Sequence, residues 1–173
     1  MSFASRVTLV VLGLLLSACS TQSSQTDVKL SRTGSWVLLP LVNLAQAPQA
    51  AEGAEQILFS VLAANGLTVT PAPQQQQPAD EFPLEDSQRL QQALQWARQR
   101  GDTYASTGSV EEWQYKSGLD GEPAVGITLR VIEPASGRIL WSASAARAGW
   151  SRESLAGAAQ TVLESLVADL PLQ

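Results

Sequence analysis

Three β-type runs follow one another between Thr103 and Arg147, separated only by short turns, and they constrain the fold more than any other feature. The runs are Thr103–Tyr115, Ala124–Glu133 and Arg138–Arg147. The middle one alternates cleanly: Val125, Ile127, Leu129 and Val131 fall on one face, Gly126, Thr128 and Arg130 on the other. Strands this close must pair antiparallel, because a parallel return needs a dozen or more connecting residues. Glu133-Pro134-Ala135-Ser136-Gly137 supplies a tight hairpin turn. Alternation breaks near Glu111-Glu112, where a bulge is expected.

The residues before and after these runs read differently. Ser35–Leu41 is a short, nearly continuous apolar run, which suits a strand buried on both faces with Pro40 at its end. From Pro48 to Asn65, Ala50, Ala54, Ile57, Leu58, Val61 and Leu62 recur at helical spacing, and Asn65-Gly66 is a stop. Leu67–Thr70 is a short strand. Residues 71–84, with three prolines before Glu81 and four consecutive glutamines, have no period and read as a mobile loop. Glu85–Arg100 is a second helix with Leu90, Ala93, Leu94 and Ala97 on one face, ended by Gly101. A last helix covers about Arg152–Leu170, with Leu155, Ala159, Val162, Leu166 and Leu170 toward the core and Ser151 as candidate N-cap. The order β-α-β-α-β-β-β-α implies an α/β fold: a mixed sheet with helices in a two- or three-layer sandwich.

The amino terminus has a separate logic. Arg6 precedes an apolar run from Val7 to Leu16. Ten helical residues span roughly 15 Å, about half the hydrocarbon core, so the run is a secretory signal core and not a membrane span. It ends in Leu16-Ser17-Ala18-Cys19, which resembles the bacterial lipoprotein box. That resemblance implies cleavage before Cys19 and acylation of its thiol and new amino group. Ser20, in place of an Asp, implies sorting to the outer membrane. Three acyl chains, at about 0.8 kcal/mol per buried CH2, make such an anchor effectively permanent. The expected organisation is a signal peptide over 1–18, a lipidated flexible tether over 19–33 and one periplasmic domain over 34–173.

Composition excludes several chemistries. The chain of 173 residues contains no His and one Cys. It therefore has no Ser-His-Asp triad, no Cys-His dyad, no His-ligated metal and no disulfide framework. No metal or other cofactor is expected. Eleven basic and 16 acidic residues give a net charge of −5, and loss of Arg6 with the signal leaves −6. An acidic chain is a poor nucleic-acid binder. No phosphate loop or dinucleotide fingerprint is present. Glu111 and Glu112, adjacent in a strand, are expected on opposite faces and so not to form a carboxylate dyad. No catalysis is expected.

What remains is charge and tryptophan. One acidic cluster is Asp80, Glu81, Glu85 and Asp86; the other is Glu111, Glu112, Asp120 and Glu122, opposed by Lys116. Each is either a solvated face or a surface that attracts a cationic ligand through its long-range potential. Trp36 and Trp141 lie in apolar strands and suit the core. Trp96, on the second helix, suits partial burial. Trp150 falls between Gly149 and Ser151, after the sheet and before the last helix. It suits a membrane-interface or subunit anchor, or a staple on the helix start.

Four stretches carry a family resemblance: Leu38-Leu39-Pro40-Leu41-Val42-Asn43-Leu44; Thr107–Lys116; Gly118-Leu119-Asp120-Gly121-Glu122-Pro123; and Ser136-Gly137-Arg138 through Leu140-Trp141-Ser142 to Gly149-Trp150-Ser151-Arg152-Glu153. They resemble the PelC-type outer-membrane lipoproteins of the Pel exopolysaccharide export system. The resemblance implies a ring of twelve on the periplasmic face of the outer membrane. Its acidic funnel gathers a cationic, amino-sugar-rich polysaccharide for a partner β-barrel with a periplasmic repeat scaffold. By motif match, Asp120 lines the funnel or holds its loop at a subunit contact; from the same acidic cluster, Glu122, Glu111 and Glu112 are further funnel or polymer-binding candidates. Trp150 faces the membrane, and Arg147 and Arg152 are candidates for intersubunit ion pairs. A different class remains open: a periplasmic regulatory lipoprotein that activates a peptidoglycan synthase. Its weakness is reach, since a tether of about 14 residues extends only near 50 Å. An amyloid- or toxin-secretion channel subunit would need long lipid-facing strands, which the sequence lacks.

Overall fold

A computed structural model describes residues 22–24, 28–73, 85–117, 121–150 and 152–173. Its strands are β1 (Gln22–Ser24), β2 (Trp36–Asn43), β3 (Val69–Pro71), β4 (Tyr104–Tyr115), β5 (Pro123–Glu133) and β6 (Arg138–Ala148). Its helices are α1 (Ala50–Ala64), α2 (Asp86–Arg100) and α3 (Leu155–Ala168). The strands form one sheet in the order β1-β6-β5-β4-β2-β3. β2 is parallel to β3 and β4, and β4, β5, β6 and β1 pair antiparallel. This is the mixed α/β sheet expected from the three clustered strands and the two helical periods before them.

Topology decides where the helices lie. The path β2-α1-β3 moves one way across the sheet, and β3-α2-β4 moves back past β2. Right-handed crossovers then place α1 and α2 on opposite faces. α1 and α3 cover one face, packing Ala54, Leu58, Leu62, Ala159, Val162, Leu163 and Leu166 onto Trp36, Leu38, Ile127, Leu129 and Val131. α2 covers the other face only over β2 and the start of β4, where Ala93 and Ala97 meet Val37, Leu39 and Ala105. The fold has three layers there and two over β5 and β6. Trp36 and Trp141 are core residues, as expected, and Trp36 packs against Tyr104 with ring centroids 4.7 Å apart.

Four local expectations need correcting. Pro40 lies inside β2, at a register shift between Leu38 and Leu41, and not at the strand end. The irregularity tolerates a residue without an N–H. The last helix starts at Leu155 and not Arg152, because Ser154 is its N-cap and its Oγ accepts from the Gly157 N–H at 3.0 Å. Ser151, the N-cap candidate, lies outside the described residues.

The stretch read as a flexible tether also carries structure. Leu30 is fully buried; its N–H donates to Pro171 O and its carbonyl accepts from Gln173 N–H, each at 2.9 Å. Both ends of the domain are apolar at Val28, Leu30, Leu170 and Leu172, and they close on each other. β1 adds three residues to the β6 edge.

The fourth correction concerns faces. The expected bulge falls between Val110 and Glu112. Ser109 pairs with Thr128 and Glu112 with Gly126, which share one face of β5. The Glu111 carboxylate accepts from Ser109 Oγ, so it reaches over that face as well. One extra residue shifts the alternation, and Glu111 and Glu112 fall on the same side of the sheet.

Candidate functional site

The pairing brings the carboxyl ends of β2, β4 and β6 to one edge of the sheet. Gln114, Ala124 and Ala148 stand in one row across it. The amino ends of α1, α2 and α3 arrive at the same edge, since Asp86 contacts Asn43, Arg89 contacts Glu52, and the Leu155 N–H donates to Tyr115 Oη. In open α/β sheets this edge is where ligands bind.

Most of the sequence candidates gather here. Glu111 and Glu112 lie near the end of β4, and Glu122 begins the return into β5, its carbonyl accepting from Lys116 N–H at 2.7 Å. Asp120, Cys19, Asp80 and Glu81 lie outside the described residues.

Trp150 stands two residues beyond β6 and is 79% exposed. The turn that presents it is tightly built. Gly149 N–H donates to Pro123 O at 2.7 Å, and Glu153 N–H donates back to Trp150 O at 2.9 Å. The Glu153 carboxylate accepts from the Trp150 N–H at 3.3 Å and from Arg147 Nη2 at 3.1 Å. A Cβ on Gly149 would press on the Glu153 carboxylate and on Pro123 Cγ, so a larger residue there must displace the carboxylate that holds the turn. The indole therefore projects from a fixed turn and does not staple onto the helix start.

Arg147, a candidate for an intersubunit pair, has its carboxylate partner Glu153 within its own chain. Its Nε is buried without a partner among the described atoms. Arg152 is exposed beside Trp150.

A second constellation was not visible in the sequence. Glu55 on α1 is 8% exposed, and its Oε1 accepts the Leu41 N–H at 2.8 Å. Thr107 Oγ1 donates to Pro40 O at 2.8 Å, so both sides of the β2 irregularity are held by side chains. Burial pushes the Glu55 carboxyl above the usual glutamate range, opposed by the Leu41 hydrogen bond and the Arg89 charge. Arg89 bridges Asp86 at 3.1 Å and Glu52 at 3.3 Å, and Asp86 accepts the Asn43 N–H at 2.7 Å. Asp86, one of the first acidic cluster, therefore has its counter-ion one helical turn further on.

The edge thus offers carboxylates and an exposed indole on a rigid support. Among the described residues, no group of three or more Asp, Glu, Cys or His side chains is placed to hold a metal. No described helix is long and apolar enough to cross a membrane.

No protein-family model matches the chain, and no curated protein matches it. Solved structures do. Two crystal forms of the PelC dodecamer from Paraburkholderia phytofirmans, one a point variant, are each 31% identical with a TM-score of 0.73. The first match covers 90% of this chain and 99% of that one, the second 89% and 98%. Lipoprotein GNA1162 from Neisseria meningitidis shares the fold at 17% identity and a TM-score of 0.58, over 78% of this chain and 96% of its own. Identity above 30% over nearly the whole of a PelC chain fixes the assignment: this chain belongs to the PelC family.

Proposed function

We propose that the chain is a lipid-anchored, ring-forming accessory of Pel exopolysaccharide export at the periplasmic face of the outer membrane. The observation that carries this is its similarity to PelC chains that assemble as dodecamers. Acylated Cys19 is the anchor. The ring guides a cationic polysaccharide toward an outer-membrane barrel with a repeat scaffold, and no bond in the polymer is made or broken.

The geometry at the sheet edge supports this reading. Glu111 and Glu112 share one open face, Glu122 lies beside the same edge, and Asp120 is two residues before it in the chain. One such patch attracts a polycation only within about 8 Å at physiological salt. Copies repeated around a pore overlap and focus the field, and weak repeated contacts let a polymer advance. Trp150, exposed on its rigid turn, is the membrane-side contact, with Arg152 beside it; Arg147 acts by holding Glu153 under that turn.

The test is charge reversal. Asp120→Lys with Glu122→Lys should reduce polymer secretion while the domain stays folded and abundant. Unchanged secretion at normal protein levels removes this loop from the path. The synthase-activator reading loses further ground, because Leu30 is pinned in the domain and only the eleven residues from Cys19 to Leu30 are left to span the gap.

A further inference from the structure

We propose that β1 is a strap that sets the height and orientation of the domain on the lipid surface, in place of a free tether. The inference rests on acylation of Cys19. It deepens the proposed function by naming the element that turns the Trp150 edge toward the bilayer.

Direction and reach fix where the anchor can lie. β1 runs antiparallel to β6, with Gln22 opposite Ser144 and Ser24 opposite Ser142. Moving toward the amino terminus from Gln22 therefore means moving toward Ala148 and Trp150. Cys19 stands three residues before Gln22. Three residues reach at most about 11 Å. From Ser144 to Ala148, four residues of strand cover roughly 13 Å. With β1 paired, the acylated residue stops about 2 Å short of the Ala148 row even when fully extended, and its acyl chains enter a bilayer only when that edge lies against it. Without the pairing, the first fixed point is Leu30, eleven residues from Cys19, and the domain could stand roughly 36–40 Å away.

The edge suits a lipid–water interface. Trp150 and Tyr115 are both largely exposed there, with Lys116 and Arg152 as cations suited to anionic headgroups; of the acidic candidates Glu122 lies beside them, and Glu111 and Glu112 stand back along β4 on its open face. Three strand residues hold weakly by themselves. Here Leu30, six residues after Ser24, is fixed to the carboxyl-terminal segment, so β1 is kept at high effective concentration beside β6. β1 also pairs backbone groups that an edge strand would otherwise leave open.

The test uses the full lipidated chain in vesicles of phosphatidylethanolamine and phosphatidylglycerol with brominated acyl chains. Quenching of Trp150 is read as the difference from Trp150→Phe. Six Gly/Ser residues inserted after Ser20 lengthen the span between anchor and strap to about 30 Å and should abolish the quenching. The same six inserted after Thr26 lengthen only the loop behind the strap and should preserve it. If that second insertion releases the strand, a Ser24→Cys/Ser142→Cys bridge should restore quenching. Equal loss at both sites that the bridge does not restore, or no loss at either, overturns the strap. Failure of the acylation reading is separately visible, as wild-type protein that does not float with the vesicles.

Discussion

Glu55 offers a prediction whose size follows from the structure. Its carboxylate is buried against the β2 irregularity and accepts the Leu41 N–H at 2.8 Å. Glu55→Ala leaves that N–H buried without this acceptor, at a cost of about 1–3 kcal/mol. For a domain of this length the loss lowers Tm by roughly 3–10 °C. Glu55→Gln keeps an oxygen that accepts the same bond but removes the charge. Because burial raises the folded-state pKa above the unfolded value, the folded state favours the protonated acid. The wild type is therefore penalised as pH rises through that raised value, and the penalty is absent below the unfolded pKa near 4.3. Thermal and urea melts at pH 4 and pH 7 read both variants. Glu55→Gln should be more stable than wild type at pH 7, with the gap closing toward pH 4. Glu55→Ala should fall below Glu55→Gln at both. A Glu55→Ala variant as stable as wild type, or a Glu55→Gln gap that widens on acidification, refutes the reasoning.

Other outcomes are fixed by single residues. Trp150→Ala should shift the melt by no more than about 0.5 kcal/mol, because the indole is exposed. Polymer secretion in cells should nevertheless fall; a large melt shift would mean that the side chain packs in the folded protein. Gly108→Ala places a Cβ 2.0 Å from Thr128 O on the neighbouring strand, so β4 and β5 must separate. Destabilisation of about 1–3 kcal/mol or more should follow in urea titration, and a neutral result would contradict the β4–β5 register.

Where sequence periodicity met a single kind of burial, it was sufficient. Val125, Ile127, Leu129 and Val131 lie on the core face that alternation gives them, and Gly101 ends α2 in the left-handed conformation, φ 74°. The misses come from residues that satisfy backbone groups far away in sequence. Glu55 sits between Ala54 and Leu58 on the apolar face of α1, a position that looks like an error until Pro40 disrupts the neighbouring strand. The only local hint is a proline inside a buried strand, which breaks the ladder and leaves neighbouring backbone groups in need of side-chain partners. The bulge at Glu111-Glu112 was legible, but its consequence for facing depended on the β5 register. The α3 start lies three residues later than the Ser151 cap implied, because Ser154 makes the cap and the Glu153–Trp150 turn precedes it. Leu30 reads as polar-tether sequence until it is paired with Leu172 at the other end of the chain.

The central claim is that this chain works as a ring. Size-exclusion chromatography with multi-angle light scattering on the chain after Cys19, with and without a cationic amino-sugar polymer, tests it most directly, repeated on the lipidated form in detergent. The expected result is a discrete species near twelve protomer masses that retains the polymer. A protein that stays monomeric at all concentrations, lipidated or not, and ignores the polymer would contradict the account.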